Sequence, residues 1–496
     1  MRLSLLLGIL LTCLAACEVD RDFVTGEAVN LRFGVDTLRF DTVFTARGSA
    51  TQSFKVYNDA ADPVRIDRIS VAGMTGVHFT FNVDGTMGPD ARDVVIWGRD
   101  SIFVFVEAEV DPTAPESVSP FIAEDLLIFE TGDRRSEVVL EAYGQNANYL
   151  NGFNRGRFFQ PICQDGTFTL PVDLPTVIYG SMIIDSCTVR ALAGTRIYFH
   201  GGIQRNLNLG GNGIFNDGFI YTLPEGRLHL LGTLDNPVIL ATDRLEEDFE
   251  ESRGAYRGLI FGPESTGNRI EHTRIYNSIV GITADSLAEV TVENSIIANS
   301  SGAAISTYQS TVTARNSLFH SNYGNTIQYL KGGSLTLEHC TLANYGTDAA
   351  ALALLNFSCD DNDVCLAAPL TARVTNSIIS GARTNQLLFA DGFNGQQPGF
   401  FDVKISHSVV RTDDEFLRSN DGIFRDFYGT DCTDCYNYQS GDPLFVSISQ
   451  DDYHPDSLSV ARNRAVFLPE LPRDLEGAER DAERPDAGAL EWQAGN

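Results

Sequence analysis

The sequence predicts an all-β chain in two parts, an antiparallel sandwich of short strands followed by a parallel β-solenoid. Alternating apolar runs between about Leu31 and Gln145 are broken by turn residues at short intervals. From Ile270 onward the chain repeats with a period of about 22 residues. Within each repeat apolar residues alternate with period 2, where a helical solenoid would show 3.6.

The first part, 31–147, contains the runs Thr37 to Phe44, Ser53 to Tyr57, Val64 to Val71, Ser101 to Val106, Leu126 to Phe129 and Val138 to Ala142. About seven short strands punctuated by Asp-Pro and Asp-Gly turns argue for a sandwich. The segments Asp36-Thr-Leu-Arg-Phe-Asp-Thr-Val-Phe44, Asn82-Val-Asp-Gly85 and Ala142-Tyr-Gly-Gln145 resemble an immunoglobulin-like module of Bacteroidota surface lipoproteins. Such modules commonly act as spacers or adhesive units. No pair of titratable groups here is poised for chemistry, so the domain reads as a stalk.

In the second part, His272, Asn294, Asn316, His339, Asn376 and His407 head equivalent segments at steps of 22, 22, 23, 37 and 31 residues. The last two steps are single coils carrying insertions. Two positions before the heads stand Ile270, Val292, Ala314, Leu337, Val374 and Ile405; three after them stand Ile275, Ile297, Phe319, Leu342, Ile379 and Val410. Both columns are apolar throughout. Directly after the heads come Thr273, Ser295, Ser317, Cys340, Ser377 and Ser408, side chains small enough to stack across coils. Strands stacked in parallel about 4.8 Å apart require this pattern. Asn at a repeated turn tolerates a left-handed backbone and can bond to its copies above and below, so the heads, histidines included, read as a ladder.

Leu174-Pro-Thr-Val-Ile-Tyr-Gly180, Ala193-Gly-Thr-Arg-Ile-Tyr-Phe-His200 and Gly232-Thr-Leu-Asp-Asn-Pro-Val-Ile239 resemble the opening coils of right-handed parallel β-helix proteins of the pectate-lyase-like superfamily. Asp442-Pro-Leu-Phe445 and Asp486-Ala-Gly-Ala-Leu-Glu491 resemble their closing segment. The resemblance spans 152–492, and right-handedness also follows from the general rule for parallel crossovers.

Ahead of the sandwich, Arg2 precedes an apolar stretch from Leu3 to Leu14, too short to span a bilayer and typical of a secretory signal. It ends in Leu14-Ala15-Ala16-Cys17, which resembles the lipobox of bacterial lipoproteins. That resemblance implies a signal peptide over 1–17, lipid attachment at Cys17 and anchoring at the bacterial outer membrane. The acidic linker 18–30 opens with Glu18-Val19-Asp20-Arg21-Asp22 and resembles the surface-export signal of Bacteroidota lipoproteins. Acyl chains on Cys17 are then the expected membrane contact.

A formal charge of -30, from 66 acidic and 36 basic residues, argues against nucleic acid as a partner. It suits a secreted protein that must stay in solution and could hold divalent cations, and it would repel polyanionic glycans unless cations intervene. Nine cysteines include Cys13 and Cys17, leaving seven for an oxidising compartment, an odd number. Cys163 with Cys187, Cys359 with Cys365 and Cys432 with Cys435 read as local disulfides in preference to zinc ligands. Cys340, in a serine position, is the expected free thiol.

In lyases and hydrolases that this solenoid resembles, substrate lies along an outward sheet face, with clustered carboxylates, often calcium, and a basic residue. One position before the heads the outward column reads Glu271, Glu293, Arg315, Glu338, Thr375 and Ser406. Glu293 and Glu338, two coils apart, would stand about 9 to 10 Å from each other, near the separation of an inverting carboxylate pair. The bland reading is a cross-strand charge ladder through Arg315, and it is preferred. Asp360, Asp361 and Asp363, in the Cys359 to Cys365 loop, are candidate calcium ligands, without EF-hand spacing. Phe393, Phe400, Phe401, Phe427, Tyr428, Tyr436 and Tyr438 either stack on sugars or close small cores; packing is preferred. Two functions therefore fit: a surface-tethered, non-catalytic protein for adhesion or glycan binding, and a polysaccharide lyase or glycoside hydrolase. The first is favoured because no catalytic motif of the superfamily falls on these positions.

Overall fold

The computed structural model describes residues 23–24, 29–44, 51–73, 77–110, 121–151, 161–163, 165–205, 214–246, 249–360, 362, 364–397, 399–413, 415, 417, 424 and 426–494. The chain is all-β: an N-terminal immunoglobulin-like β-sandwich and a right-handed parallel β-helix. It divides into two compact units, one ending at Ala147 and taking in Arg244–Glu246, the other beginning at Asn148.

The sandwich pairs two sheets. In one, Leu31–Phe33, Gln52–Asn58, Asp100–Val110, Val77–Val83 and Thr86–Met87 lie side by side; in the other, Thr37–Phe44, Arg134–Gln145, Phe121–Thr131, Val64–Val71 and Asp90–Ile96. Alternation puts Phe79, Phe81 and Val83 inward against Phe40, Ile66, Phe129 and Leu140. Each such burial stabilises by roughly 1.5–3 kcal/mol. Thr37–Phe44 runs parallel to Arg134–Gln145, and the rest of that sheet is antiparallel.

The β-helix starts at Asn148–Asn151, which pairs in parallel with Thr176–Tyr179, slightly ahead of the expected Gly152. Among the described residues three sheets run its length. The first has ten strands, from Thr167–Thr169 to Cys432–Thr433; the second eleven, from Asn148–Asn151 to Tyr436–Asn437; the third eight, from Ser181–Ile184 to Leu387–Ala390. One coil passes from Glu289–Glu293 in the first sheet through Ile296–Ala298 in the second to Ile305–Thr307 in the third, then returns at Ser310–Arg315. The two apolar columns point inward and are buried throughout.

The corner between first and second sheets is made by the head residues, all six with φ between 42° and 54°. Asn and His tolerate this left-handed region better than most side chains. Asn316 donates to Asn294 Oδ1 at 2.7 Å, so the ladder is a bonded one there. The small column is bonded too: the backbone N–H groups of Thr273, Ser295, Cys340 and Ser377 donate to the hydroxyls of Ser295, Ser317, Ser377 and Ser408. Cys340 fills a serine's place, its Sγ 3.3 Å from the Ala314 carbonyl, and is the free, buried cysteine. Cys163–Cys187, Cys359–Cys365 and Cys432–Cys435 are disulfides.

The C-terminal segment folds back along the head turns. Asn376 Oδ1 accepts the Val466 N–H and its Nδ2 donates to the Val466 carbonyl, while Thr341 Oγ1 accepts the Ala489 N–H. Arg480 is fully buried, paired with Glu491 at 3.2 Å and donating to Asn316 Oδ1 and the Gly488 and Ala489 carbonyls. Burial pushes its pKa below the usual arginine range, against the opposing pull of Glu491, Asp474 and Asp486.

Candidate functional site

The outward face of the third sheet carries a cleft in its early coils. In Ser181–Ile184, Phe219–Thr222, Gly258–Phe261 and Ile282–Ala284, the residues Met182, Ile184, Ile220, Leu259, Phe261, Ile282 and Ala284 point inward and are buried. Alternation therefore turns Ile183, Tyr221, Ile260 and Thr283 outward, and register stacks these four in one row. The polypeptide leaves the coil ahead of Phe219 as a hairpin, Ile203–Arg205 with Ile214–Asn216, and brings Phe215 over the row.

The resulting cavity of ≈ 530 Å³ is lined by Phe215, Phe219, Tyr221, Ile260, Arg257 and Asp285, with Pro161, Ile183, Leu223 and Thr283. That volume lies within the usual size of a ligand site. Phe215 and Phe219 meet edge to face at 6.3 Å, and the Arg257 guanidinium stands 5.4 Å from the Phe219 ring. Burial raises the Tyr221 pKa, the Asp285 carboxylate adds to the rise, and Arg257 opposes it. Gly258 makes the coil spacing possible. Its φ is 114°, and a Cβ there would lie 1.8 Å from the Val280 carbonyl oxygen. An apolar aromatic floor with one cation and one carboxylate at its edge suits a ring that is apolar on its faces and hydroxylated around its rim. Among the described lining residues Asp285 is the single carboxylate, whereas glycoside hydrolysis ordinarily employs two.

The residues singled out in the sequence lie elsewhere. Glu293, Arg315 and Glu338 stack in register on the first sheet, with Arg315 Nε 2.7 Å from Glu338 and Arg315 Nη1 3.3 Å from Glu293. Arg315 thus bridges both carboxylates, as in a charge ladder. Asp360 sits in the tight hairpin closed by Cys359–Cys365; its carboxylate accepts the N–H groups of Asn362 and Val364, which lower its pKa. Asp361 and Asp363 lie outside the described residues, as do Cys17 and the signal segment. Among the described residues no group of three or more His, Cys, Asp or Glu is placed to hold a metal ion. Phe401 and Phe427 pack with Phe389 and Phe424 inside the last coils, and Phe393 packs on Phe400.

The head histidines differ in surroundings. His339 is buried, its pKa well below the usual range, chiefly through burial and then through Arg480. His272 is held low mainly by partial burial. Sequence reasoning missed the cleft because the strands of the third sheet come at uneven intervals. The available signal was the pair Phe219 and Tyr221 at alternate positions beside outward Ile183 and Ile260.

The family described as a right handed beta helix region matches residues 251–362. In class, then, this is a right-handed parallel β-helix protein. Among solved structures the chain is similar to a family 123 glycoside hydrolase from Clostridium perfringens, at 5% identity and a TM-score of 0.18, covering 39% of this chain and 48% of that one. The chain thus spans about half the length of that relative. It is also similar to the catalytic unit of a thermostable GH87 alpha-1,3-glucanase from Streptomyces thermodiastaticus strain HF3-3, at 10% identity and a TM-score of 0.22, covering 79% and 86%. A third is the catalytic domain of a GH87 alpha-1,3-glucanase in complex with nigerose, at 10% identity and a TM-score of 0.20, covering 74% and 81%. Likenesses this distant carry no argument about activity. No curated protein matches the chain.

Proposed function

We propose that the protein is a non-catalytic glycan-binding β-helix, tethered through Cys17 to the outer membrane and displayed at the cell surface. The cleft of Phe215, Phe219 and Tyr221, edged by Arg257 and Asp285, is the observation that carries this reading. A sugar ring stacks its C–H faces on the aromatic floor and turns its hydroxyls to the guanidinium and the carboxylate. A lone carboxylate among the described lining residues favours retention over cleavage, since general acid and nucleophile or base are normally separate groups.

The test is a panel of plant, algal and host polysaccharides offered to the chain from residue 18 onward, with and without calcium, scored for retention and for product release. Retention of a neutral polysaccharide without release, lost in Tyr221→Ala, is the expected result. Release of oligosaccharides would replace this reading with catalysis, ultraviolet absorbance of unsaturated ends marking a lyase and its absence a hydrolase. Failure to retain any polysaccharide would overturn it.

A further inference from the structure

The chain is strongly acidic, yet one stretch of its first sheet is cationic. Thr188–Leu192, Arg227–Leu231 and Asn268–Glu271 are consecutive strands, and their register places Arg190 opposite His229 and His229 opposite Arg269. Arg227 lies on the same face, two residues before His229. Arg190, Arg227 and Arg269 are exposed, with His229 half-buried between them. The row is perpendicular to the strands, so its members repeat about every 4.8 Å along the helix axis, which sets Arg190 and Arg269 about 10 Å apart on either side of His229.

Like charges gathered on one face of a sheet cost stability. Here little relieves them. Arg269 pairs with Glu271, but among the described residues neither Arg190 nor Arg227 has a carboxylate partner. Burial holds the His229 pKa low, against the hydrogen bond with the Gly267 carbonyl, and Arg190, Arg269 and Arg227 add to the lowering. In a chain with 66 acidic and 36 basic residues, the strands Thr188–Leu192 and Arg227–Leu231 carry no carboxylate, and the outward column of Glu271, Glu293 and Glu338 begins only at the next strand. The row then continues in register through Thr291, Thr313 and Thr336, a lane of hydroxyls.

We infer that this face, separate from the cleft on the third sheet, binds an extended anionic polysaccharide carrying sulfate or carboxylate groups, with Arg190, Arg227 and Arg269 taking its oxyanions and the threonines its hydroxyls. Guanidinium groups are suited to the task because each presents a planar fork of donors to a sulfate or carboxylate. An open face with charges spaced along one axis fits a chain lying across the strands better than a single captured ion. The -30 net charge of the molecule confines such a ligand to this stretch.

The experiment measures retention of the chain from residue 18 onward on heparin, polygalacturonate, a neutral glucan and single-stranded DNA, across a range of ionic strengths. Wild type should be retained on one or both anionic polysaccharides, with retention falling as salt rises. The triple variant Arg190→Gln/Arg227→Gln/Arg269→Gln should bind about tenfold more weakly or worse. Tyr221→Ala, which tests the cleft, should leave anionic retention unchanged, so the two sites fail independently. The three arginines point outward, and thermal unfolding of the triple variant checks that it is folded. Should it not be, Arg190→Gln alone must show a smaller loss in the same direction. No retention on either anionic polysaccharide, retention indifferent to these substitutions, or equal retention on DNA would overturn the inference. Heparin against polygalacturonate distinguishes sulfate from carboxylate.

Discussion

Asn376 donates its side-chain amide to His339 Nε2 across 2.9 Å, from one coil to the next. Because the Asn376 carbonyl oxygen accepts the Val466 N–H, the amide orientation is fixed. Nε2 of His339 must then be the acceptor, so the proton sits on Nδ1 of a neutral imidazole. One asparagine thereby holds the corner, the preceding coil and the returning C-terminal segment. Asn376→Ala loses the left-handed preference at φ 54° and leaves backbone groups of Val466 unpaired. A loss of about 2–4 kcal/mol in urea unfolding is expected. A loss under about 0.5 kcal/mol would show that the latch contributes nothing.

Glu293→Gln/Glu338→Gln should leave glycan retention untouched and lower stability only slightly, by under about 1 kcal/mol, as expected for part-exposed ion pairs. Arg315 stays bracketed by two acceptors that still hydrogen-bond. Any polysaccharide turnover that this double variant abolished would contradict the ladder reading.

His454 is held between Asp452 at 2.7 Å and Glu476 at 3.1 Å, and its pKa is raised to about 9, first through the hydrogen bond with Glu476. The folded protein holds this proton more tightly than the unfolded chain, whose histidine titrates near about 6.5. The stabilisation is therefore full below about 6.5 and lost as pH rises toward 9. Screened by solvent at this part-exposed site, it should amount to on the order of 1 kcal/mol or less. Differential scanning calorimetry should show Tm falling over that window in wild type, with a shallower fall in His454→Gln.

Burial pushes the Cys340 thiol up to about 12, and its side chain is inaccessible. A thiol reagent at pH 8 should not react with the folded chain from residue 18 and should find a single reactive thiol after unfolding without reductant. Three thiols or more would mean that one of the disulfides is open.

Gly258→Ala must move either the Val280 carbonyl or the strand Gly258–Phe261, since the added Cβ has no room and φ is 114°. We expect a cost of about 1–3 kcal/mol at least, and with Arg257 and Ile260 displaced, weaker glycan retention. Unchanged retention would place binding outside the cleft.

The solenoid was legible because each coil faces the same local demand. A corner residue must accept positive φ, its successor must be small enough to stack, and flanking residues must alternate inward. His272 through Thr273 to Ile275 meets that demand, and Asn376 through Ser377 to Ile379 meets it again one insertion later. Glu293, Arg315 and Glu338 were legible for the same reason, their column being periodic, and so were the serine-like Cys340 and the short-range disulfides.

The cleft and the cationic row obey no such period. Tyr221, Ile260 and Asp285 come from coils of unequal length, Phe215 from an inserted hairpin, and Arg190, His229 and Arg269 from strands separated by long excursions. Arg480 reaches Asn316 from 164 residues away. Repeated backbone geometry is a local property and can be read one coil at a time. Which outward side chains become neighbours depends on the register between coils, and that exists only once the helix is wound.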